Sequence, residues 1–232
     1  MKQIHKVLCA VLCVVMMLTL VQPTQTVAAK EQVQTTTKKV VIHDKTYGKI
    51  RVESYYEKIL LKGNTKAIKN INQTLRKIYN QWDKSMKLNV AGIVDYAKMD
   101  AYRDYPDTYF DRVYADVSYN GNSAICIKFS SETCLGGVNN TDVWGMTFSL
   151  KTGKQLRLDQ VCVSKPSKAA AALKKKILNE DKWADVSKVT VKNMKNMSFY
   201  LEPGQKAVVC FGPYELGSGG WARTYTLKSK FK

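Results

Sequence analysis

The chain has 232 residues, enough for a sizeable core in one domain or two small ones, and carries a formal net charge of +18. Beyond residue 29 it holds a single histidine, His43, which argues against serine–histidine triads and against metal centres built on several histidines. It contains neither a Walker loop nor a G-x-G-x-x-G motif, so the composition does not favour a nucleotide-dependent enzyme.

Residues 1–29 are predicted to be a signal peptide. Lys2 and Lys6 form a positive start, residues 7–21 are almost wholly apolar, and two alanines before residue 30 suit cleavage. The apolar run is short for a membrane-spanning helix, which needs about 20 residues. We therefore expect a secreted or cell-envelope-associated bacterial protein, attached to a membrane only if the signal is uncleaved.

The charge indicates which partners to expect. Cleavage removes Lys2 and Lys6, the only charged residues of the signal, and leaves +16 on the mature chain. Such a charge attracts anions at long range. Export argues against nucleic acid, so an anionic cell-wall polymer or polysaccharide is the expected partner. Because the lysines are scattered, with one dense run at residues 174–176, solubility alone is the alternative explanation.

Four cysteines remain after the signal. They are Cys126, Cys134, Cys162 and Cys210. In an exported chain this number predicts two disulfides, with three pairings open, and free thiols are the alternative. No C-x-x-C spacing occurs, so we predict no metal site, and no cofactor is expected.

The first half of the mature chain predicts strands followed by a long helical region. Residues 30–37 are polar and are expected to be a flexible leader. Residues 39–44 and 50–60 are rich in β-branched and aromatic residues, which is typical of strands. Residues 64–85 predict a helix and residues 86–105 a second one. The apolar face of the first helix comprises Ile68, Ile71, Leu75, Ile78 and Trp82.

The second half predicts hairpins around one more helix. Residues 110–131, 143–158 and 197–216 each suggest two strands, residues 164–180 a helix, and residues 223–231 a last strand. The turns are expected at Asn120-Gly121, residues 151–154 and Pro203-Gly204. The predicted fold class is α+β: antiparallel sheets built from hairpins, with about two or three helices packed on them.

An acidic segment provides the enzymatic alternative. Its five aspartates, interleaved with tyrosines, are Asp100, Asp104, Asp107, Asp111 and Asp116. Paired carboxylates beside aromatic rings could cleave a wall glycan. The other interpretation is that Asp104 and Asp107 cap turns around Pro106 while the tyrosines fill the edge of a core. We expect the latter, and hence no enzymatic activity.

The glycine-rich segment at residues 211–227 is compared with the nucleophile elbow G-x-S-x-G. The comparison fails, because the residue two before Ser218 is Leu216 rather than glycine. Pro213 can start a turn, and the glycines that follow allow positive φ. We expect a structural corner, with ligand contact through Tyr214 and Glu215 as the alternative.

Two stretches of the chain resemble the extracellular domain of RsiV-type anti-sigma factors, a module that also accompanies exported polysaccharide deacetylases of the PdaC type. The matching residues are Gly136, Gly137, Thr152, Gly153, Lys154, Leu156, Leu158, Phe199, Tyr200, Leu201, Pro213, Tyr214, Glu215 and Gly220. The resemblance covers about residues 38–232. It implies a PdaC-like N-terminal α+β half, residues 38–150, and an RsiV-like C-terminal α+β half, residues 151–232.

The resemblance implies a non-enzymatic binding or sensing module with lysozyme among its possible partners. The candidate binding residues it suggests are Gly136, Gly137, Asn139, Pro213, Tyr214, Glu215 and Gly220. Where the family has Ala-His, this chain has Val138-Asn139, so any role of that histidine is lost or changed. A charge of +16 also repels basic lysozyme at long range unless an acidic patch faces it.

Overall fold

The computed structural model describes residues 32–102, 107–134, 139–217 and 219–232, so the predicted signal lies outside the described residues. The elements are β1 (Thr35–Tyr47), β2 (Ile50–Leu61), α1 (Lys66–Met99), β3 (Asp107–Asn120), β4 (Ala124–Cys134), β5 (Asn139–Ser149), α2 (Leu158–Val161), α3 (Pro166–Glu180), a 3-10 turn (Asn193–Lys195), β6 (Phe199–Glu202), β7 (Lys206–Phe211) and β8 (Arg223–Lys228). The predicted α+β class is confirmed.

The strands form two sheets. Five strands follow chain order, β1-β2-β3-β4-β5, and three more form the sheet β6-β7-β8. Every neighbouring pair is antiparallel except β2 and β3, which run parallel. A parallel pair needs a long crossover connection, and α1 provides it. The hairpins predicted at Asn120-Gly121 and Pro203-Gly204 are both present.

Helix α1 is one continuous helix where two were expected. The hydroxyl of Thr65 accepts a hydrogen bond from the Ile68 N–H at 3.2 Å and caps its start. The buried stripe continues through Met86, Ile93 and Ala97, so nothing interrupts the apolar face where the second helix was expected to begin.

Two other predictions are corrected. Strand β1 already begins at Thr35, inside the expected leader at residues 30–37, because Thr35 pairs with Leu61. The hairpin expected around residues 151–154 lacks its second strand: beyond β5 only Gln155 bridges back, to Phe148, before α2 begins.

Side chains of α1 form hydrogen bonds with backbone groups of β2 that β3 does not pair with. Strand β3 pairs with β2 only as far as Tyr56, so the backbone beyond that point needs other partners. The Tyr79 hydroxyl accepts from the Ile59 N–H at 2.9 Å and donates to the Ile59 carbonyl at 3.0 Å. The Asn72 amide makes the same reciprocal pair with Leu61, at 2.9 and 2.8 Å. These four bonds lock the helix onto the sheet.

Two large buried clusters hold the sheets together. In one, α1 packs on strands β2 to β5. In the other, α2, α3 and the three-stranded sheet pack with Tyr119 of β3 and with Ala124 and Cys126 of β4. The sheets meet at Gly145 of β5, where an added Cβ would lie 2.4 Å from the Phe199 carbonyl oxygen of β6. Within the described ranges, no helix combines the length and apolar character needed to cross a membrane.

Candidate functional site

A groove of about 570 Å³ lies where α1, β5 and β6 meet. Trp82 of α1 and Trp144 of β5 form its aromatic side. The segment between β5 and α2 adds Gln155 and Arg157, and the 3-10 turn with the residues after it adds the opposite wall. The groove therefore exists only because residues from distant parts of the chain converge there.

The tryptophans are held by a network of edge-on ring contacts. The Trp82 ring lies 5.8 Å from Trp144, at 90°, and 5.1 Å from Phe129, at 89°. It also meets Tyr79, at 5.5 Å. Ring pairs in this geometry contribute about 1 kcal/mol each beyond the area they bury. Both indoles remain half-buried, so they present fixed aromatic surface to the groove.

The opposite wall carries amides and a lysine. Met194, fully buried, anchors the 3-10 turn. Lys195, the last residue of the turn, and Asn196, the residue after it, are exposed and line the groove. Ser198 also lines the groove. The wall thus offers an ammonium group, an amide and a hydroxyl close to the tryptophans.

The groove is cationic. Arg157 pairs with Asp159 at 3.1 Å, and its hydrogen bond, followed by its charge, holds the pKa of the Asp159 carboxyl below the ordinary value. Lys195 makes no ion pair with any of the described residues. No carboxylate is among the residues that line the groove, so its field favours an anion.

The structure brings two of the predicted loops together. Gly136 and Gly137 lie outside the described residues. Asn139 begins β5 and is exposed. Two residues on, the Thr141 N–H donates to the Gly220 carbonyl at 3.0 Å, which joins the start of β5 to the glycine-rich loop.

The loop around Pro213 is folded on itself. Tyr214 has φ +63°, and its N–H donates to the Gly219 carbonyl at 3.0 Å. The Glu215 carboxylate accepts from the Gly212 N–H at 2.8 Å. This geometry supports the structural corner, while the Tyr214 side chain is 59% exposed.

A second carboxylate approaches the same loop. A Cβ on Gly212 would lie 3.4 Å from Asp142 Oδ1, and the Asp142 carboxylate accepts from the Val143 N–H at 2.7 Å. Burial, and then the negative charge of Glu215, raise the pKa of Asp142 above its ordinary value. Asp142 and Glu215 thus form the acidic neighbourhood of the loop. Glu215 lines a cavity that shares Asn196, Met197 and Ser198 with the groove, although Glu215 itself does not line the groove.

Among the described aspartates of residues 100–116, Asp111 and Asp116 lie too far apart to act as a catalytic pair. Asp107 begins β3, and its carboxylate accepts a hydrogen bond from the Thr108 N–H at 2.7 Å. Asp104 lies outside the described residues. Asp100 follows α1 and accepts a hydrogen bond from the Tyr109 hydroxyl. Asp111 is buried on β3, whereas Asp116, five residues further along the strand, is exposed. Five residues of a strand span about 16 Å, well beyond the separation of paired catalytic carboxylates.

The cysteines differ from the disulfide prediction. Among the described residues the four cysteines are free thiols, which was the alternative: Cys126, Cys134, Cys162 and Cys210. The buried Cys126 sulfur instead accepts hydrogen bonds from the Thr147 hydroxyl and the Leu201 N–H, both at 3.3 Å. Burial raises the pKa of the Cys210 thiol to about 12, so this thiol is not a nucleophile. Both buried thiols act as core side chains. Across the described part of the chain, no group of three or more His, Cys, Asp or Glu residues suits a metal ion.

The sequence singled out neither wall of the groove. The sequence predicts Trp82 only as a residue on the apolar face of a helix, and no pattern in it points to Lys195. The two walls of the groove come from parts of the chain more than 100 residues apart, so no periodic pattern in the sequence indicates that they form one site.

Comparison with known proteins relates the fold to two solved structures. No family model and no curated protein matches the chain. A crystal structure of a DUF3298 family member from Bacteroides fragilis has a TM-score of 0.53 at 11% identity, covering 84% of this chain and 89% of that one. A DUF3298 family protein from Pseudomonas aeruginosa has a TM-score of 0.46 at 12% identity, with 84% and 88% covered. At this identity the Bacteroides structure shows a shared fold and nothing of function.

Proposed function

We propose that the chain is an exported, non-enzymatic binding module of the bacterial cell envelope that holds an anionic wall polysaccharide in the Trp82–Trp144 groove. The observation that carries this proposal is the pairing of two fixed indoles with Lys195 and Arg157 in one groove without a lining carboxylate.

The groove chemistry suits an acidic sugar chain. The apolar face of a pyranose ring packs on an indole, whose π face carries the negative end of its quadrupole. Anionic substituents can meet the Lys195 ammonium and the Arg157 guanidinium, and sugar hydroxyls can bond to the amides of Gln155 and Asn196. The net charge of the mature chain would raise the local concentration of such a polymer.

The resemblance to RsiV-type domains supports a binding role rather than catalysis, and it keeps lysozyme as the alternative partner. The dispersed aspartates of residues 100–116 lend no support to a glycan-cleaving centre. The signal-like residues 1–29 support export, with the mature chain acting at the envelope.

Binding of residues 30–232 to purified cell wall tests the proposal. We expect retention that falls steeply between about 50 mM and about 500 mM salt, because the contacts are ionic and solvent-exposed. Lys195→Glu should weaken retention about tenfold, since it reverses the one unpaired charge of the groove. Lys192→Glu is the matched control, an equal charge change three residues away that does not line the groove.

Lysozyme serves as the second ligand in the same assay. Salt-sensitive wall retention that depends on Lys195 supports the proposal. If Lys195→Glu and Lys192→Glu weakened wall retention equally, retention would depend on overall charge rather than on the groove, and the proposal would be overturned. If the chain bound lysozyme tightly and independently of salt but did not bind cell wall, the ligand would be a protein and not a polysaccharide.

A further inference from the structure

A second tryptophan-lined depression lies between the end of α3 and the start of β8. Its volume is about 510 Å³. The residues that line it are Glu180, Asp181, Trp221, Ala222, Arg223 and Thr224. None of them lines the groove beside Trp82, and the two sites have opposite charge.

Trp221 is exposed yet held by its backbone. Its side chain is 61% exposed. Trp221 forms a parallel bridge with Thr141 of β5, whose N–H also bonds the carbonyl of the preceding Gly220. The indole lies against Gly219, where an added Cβ would be 3.3 Å from the ring. A large apolar ring is thus displayed from an anchored position at the edge of the depression.

An ion pair fixes the polar side of the depression. Arg223 donates to Asp181 at 2.8 Å, and the other carboxylate oxygen of Asp181 accepts from the Trp183 N–H at 3.0 Å. The Arg223 hydrogen bond, followed by that of Trp183, holds the pKa of Asp181 below its ordinary value. The carboxylate is therefore ionised and oriented, with lone pairs left to accept further bonds.

We propose that this depression binds one uncharged pyranose ring of an oligosaccharide. The ring packs its C–H face on Trp221, and its hydroxyls donate to the carboxylates of Asp181 and Glu180. The guanidinium of Arg223 and the hydroxyl of Thr224 supply donors for ring and hydroxyl oxygens.

Charge selects against an acidic sugar at this site. Two carboxylates face one guanidinium, so the local balance is negative although the chain as a whole is strongly basic. An anionic substituent would meet Glu180 and Asp181 at close range, which disfavours its binding. This inference is independent of the groove: neutral-sugar binding should persist when salt removes ionic binding.

Titration of residues 30–232 with three tetrasaccharides tests the inference: β-1,4-linked glucose, β-1,4-linked N-acetylglucosamine and galacturonate. In about 1 M salt we expect at least one neutral tetramer to bind with a Kd on the order of 1 mM. The Trp221 indole N–H resonance of the unmodified chain should shift during that titration. Galacturonate is tested at about 0.1 M salt, where the carboxylates repel it, and we expect it to leave the Trp221 resonance unshifted. This readout does not depend on any variant folding.

Three substitutions locate the binding. Trp221→Ala should weaken binding of the neutral tetramer at least tenfold. Trp183→Ala is the matched control, because Trp183 is 94% exposed on the neighbouring loop but does not line the depression. Lys195→Glu should change nothing here, which separates failure of this site from failure of the groove.

Three outcomes would overturn the inference. They are no binding of either neutral tetramer at 10-fold above the expected Kd, an unmoved Trp221 resonance, or preference for galacturonate. Equal losses of affinity in Trp221→Ala and Trp183→Ala would also overturn the inference, because nonspecific contacts with any exposed aromatic ring would then explain the binding.

Discussion

The groove beside Trp82 and the depression beside Trp221 use the same aromatic surface with opposite charge. Lys195 and Arg157 make the groove cationic, whereas Asp181 and Glu180 make the depression anionic. Under the two proposals, the indole alone does not select a ligand, because every pyranose ring has an apolar face. The charges placed around it decide which sugars are attracted and how salt affects them.

The two regions also differ in construction. The groove depends on the contact between β5 and β6, whereas the depression is lined by residues 221–224 and the end of α3, with Trp221 bridged to Thr141 of β5. Gly145 lines the groove and not the depression, so a change at Gly145 should damage the groove more than the depression.

The largest effect is expected from Gly145→Ala. The new methyl group would lie 2.4 Å from the Phe199 carbonyl oxygen, which forces β5 and β6 apart. We expect a loss of about 3 kcal/mol in unfolding free energy, together with loss of wall binding. Chemical denaturation measures the first and cell-wall retention the second. Neutral-sugar binding at Trp221 should survive under conditions where the variant is folded.

Gly92→Ala is the control for that substitution. Gly92 lies on the exposed side of α1 with nothing within 4 Å of an added Cβ. Alanine should therefore stabilise the helix by about 1 kcal/mol. A Gly145→Ala variant as stable as Gly92→Ala would contradict the close contact between the sheets.

Tyr79→Phe should have the next largest effect. It leaves the buried N–H and carbonyl of Ile59 without their hydroxyl partner while keeping the ring that contacts Trp82. We expect a loss of about 2 kcal/mol in the free energy of unfolding. Tyr96→Phe, at an exposed position on the same helix, should change it by less than about 0.5 kcal/mol. Equal losses in the two variants would count against the capping role.

Substitutions at Tyr214 test the conformation of the loop around Pro213. Its φ of +63° is costly for a residue with a Cβ and free for glycine. Tyr214→Gly should therefore be more stable than Tyr214→Ala by about 1 kcal/mol, the reverse of the order in a helix. Thermal unfolding of the two variants measures the difference. If alanine proved the better residue, the left-handed conformation at position 214 would be wrong.

The smallest effect concerns pH and Asp142. Its pKa is raised in the folded state, so the folded chain binds the proton more tightly than the unfolded chain. The ionised carboxyl therefore lowers the free energy of unfolding at pH values above its raised pKa. This loss of stability disappears as the pH falls below the ordinary value of 3.8. Asp142→Asn should gain less than about 1 kcal/mol at pH 7 and nothing at pH 3. Unfolding curves at both pH values check this, and a gain that is the same at both would refute the assignment.

Local patterns predicted much of the fold. The Asn120-Gly121 and Pro203-Gly204 turns carry the residues that tight hairpins require, and the helix that starts after Thr65 shows the spacing of one buried face. The extent of that helix was missed, because its buried positions become sparse after Met86 and only packing beneath the sheet shows that they continue one stripe.

The candidate sites were less accessible to sequence reasoning. The resemblance directed attention to Tyr214 and Glu215, and the structure shows the Glu215 carboxylate bonded within its own loop. Cysteine counting predicted disulfides, but the sulfur of Cys126 has backbone and hydroxyl partners in the core. A count cannot show which partner a side chain meets after folding.

Composition and residues close in the chain were enough to predict the strongly basic charge, two of the hairpin turns, the start of α1, the helix α3 and the α+β class. Only the tertiary structure decided the parallel pairing of β2 with β3, the Gly145 contact and the two tryptophan-lined sites. Those features depend on which distant surfaces bury each other. That choice is made by packing over the whole chain, and it leaves no periodic trace in any one segment.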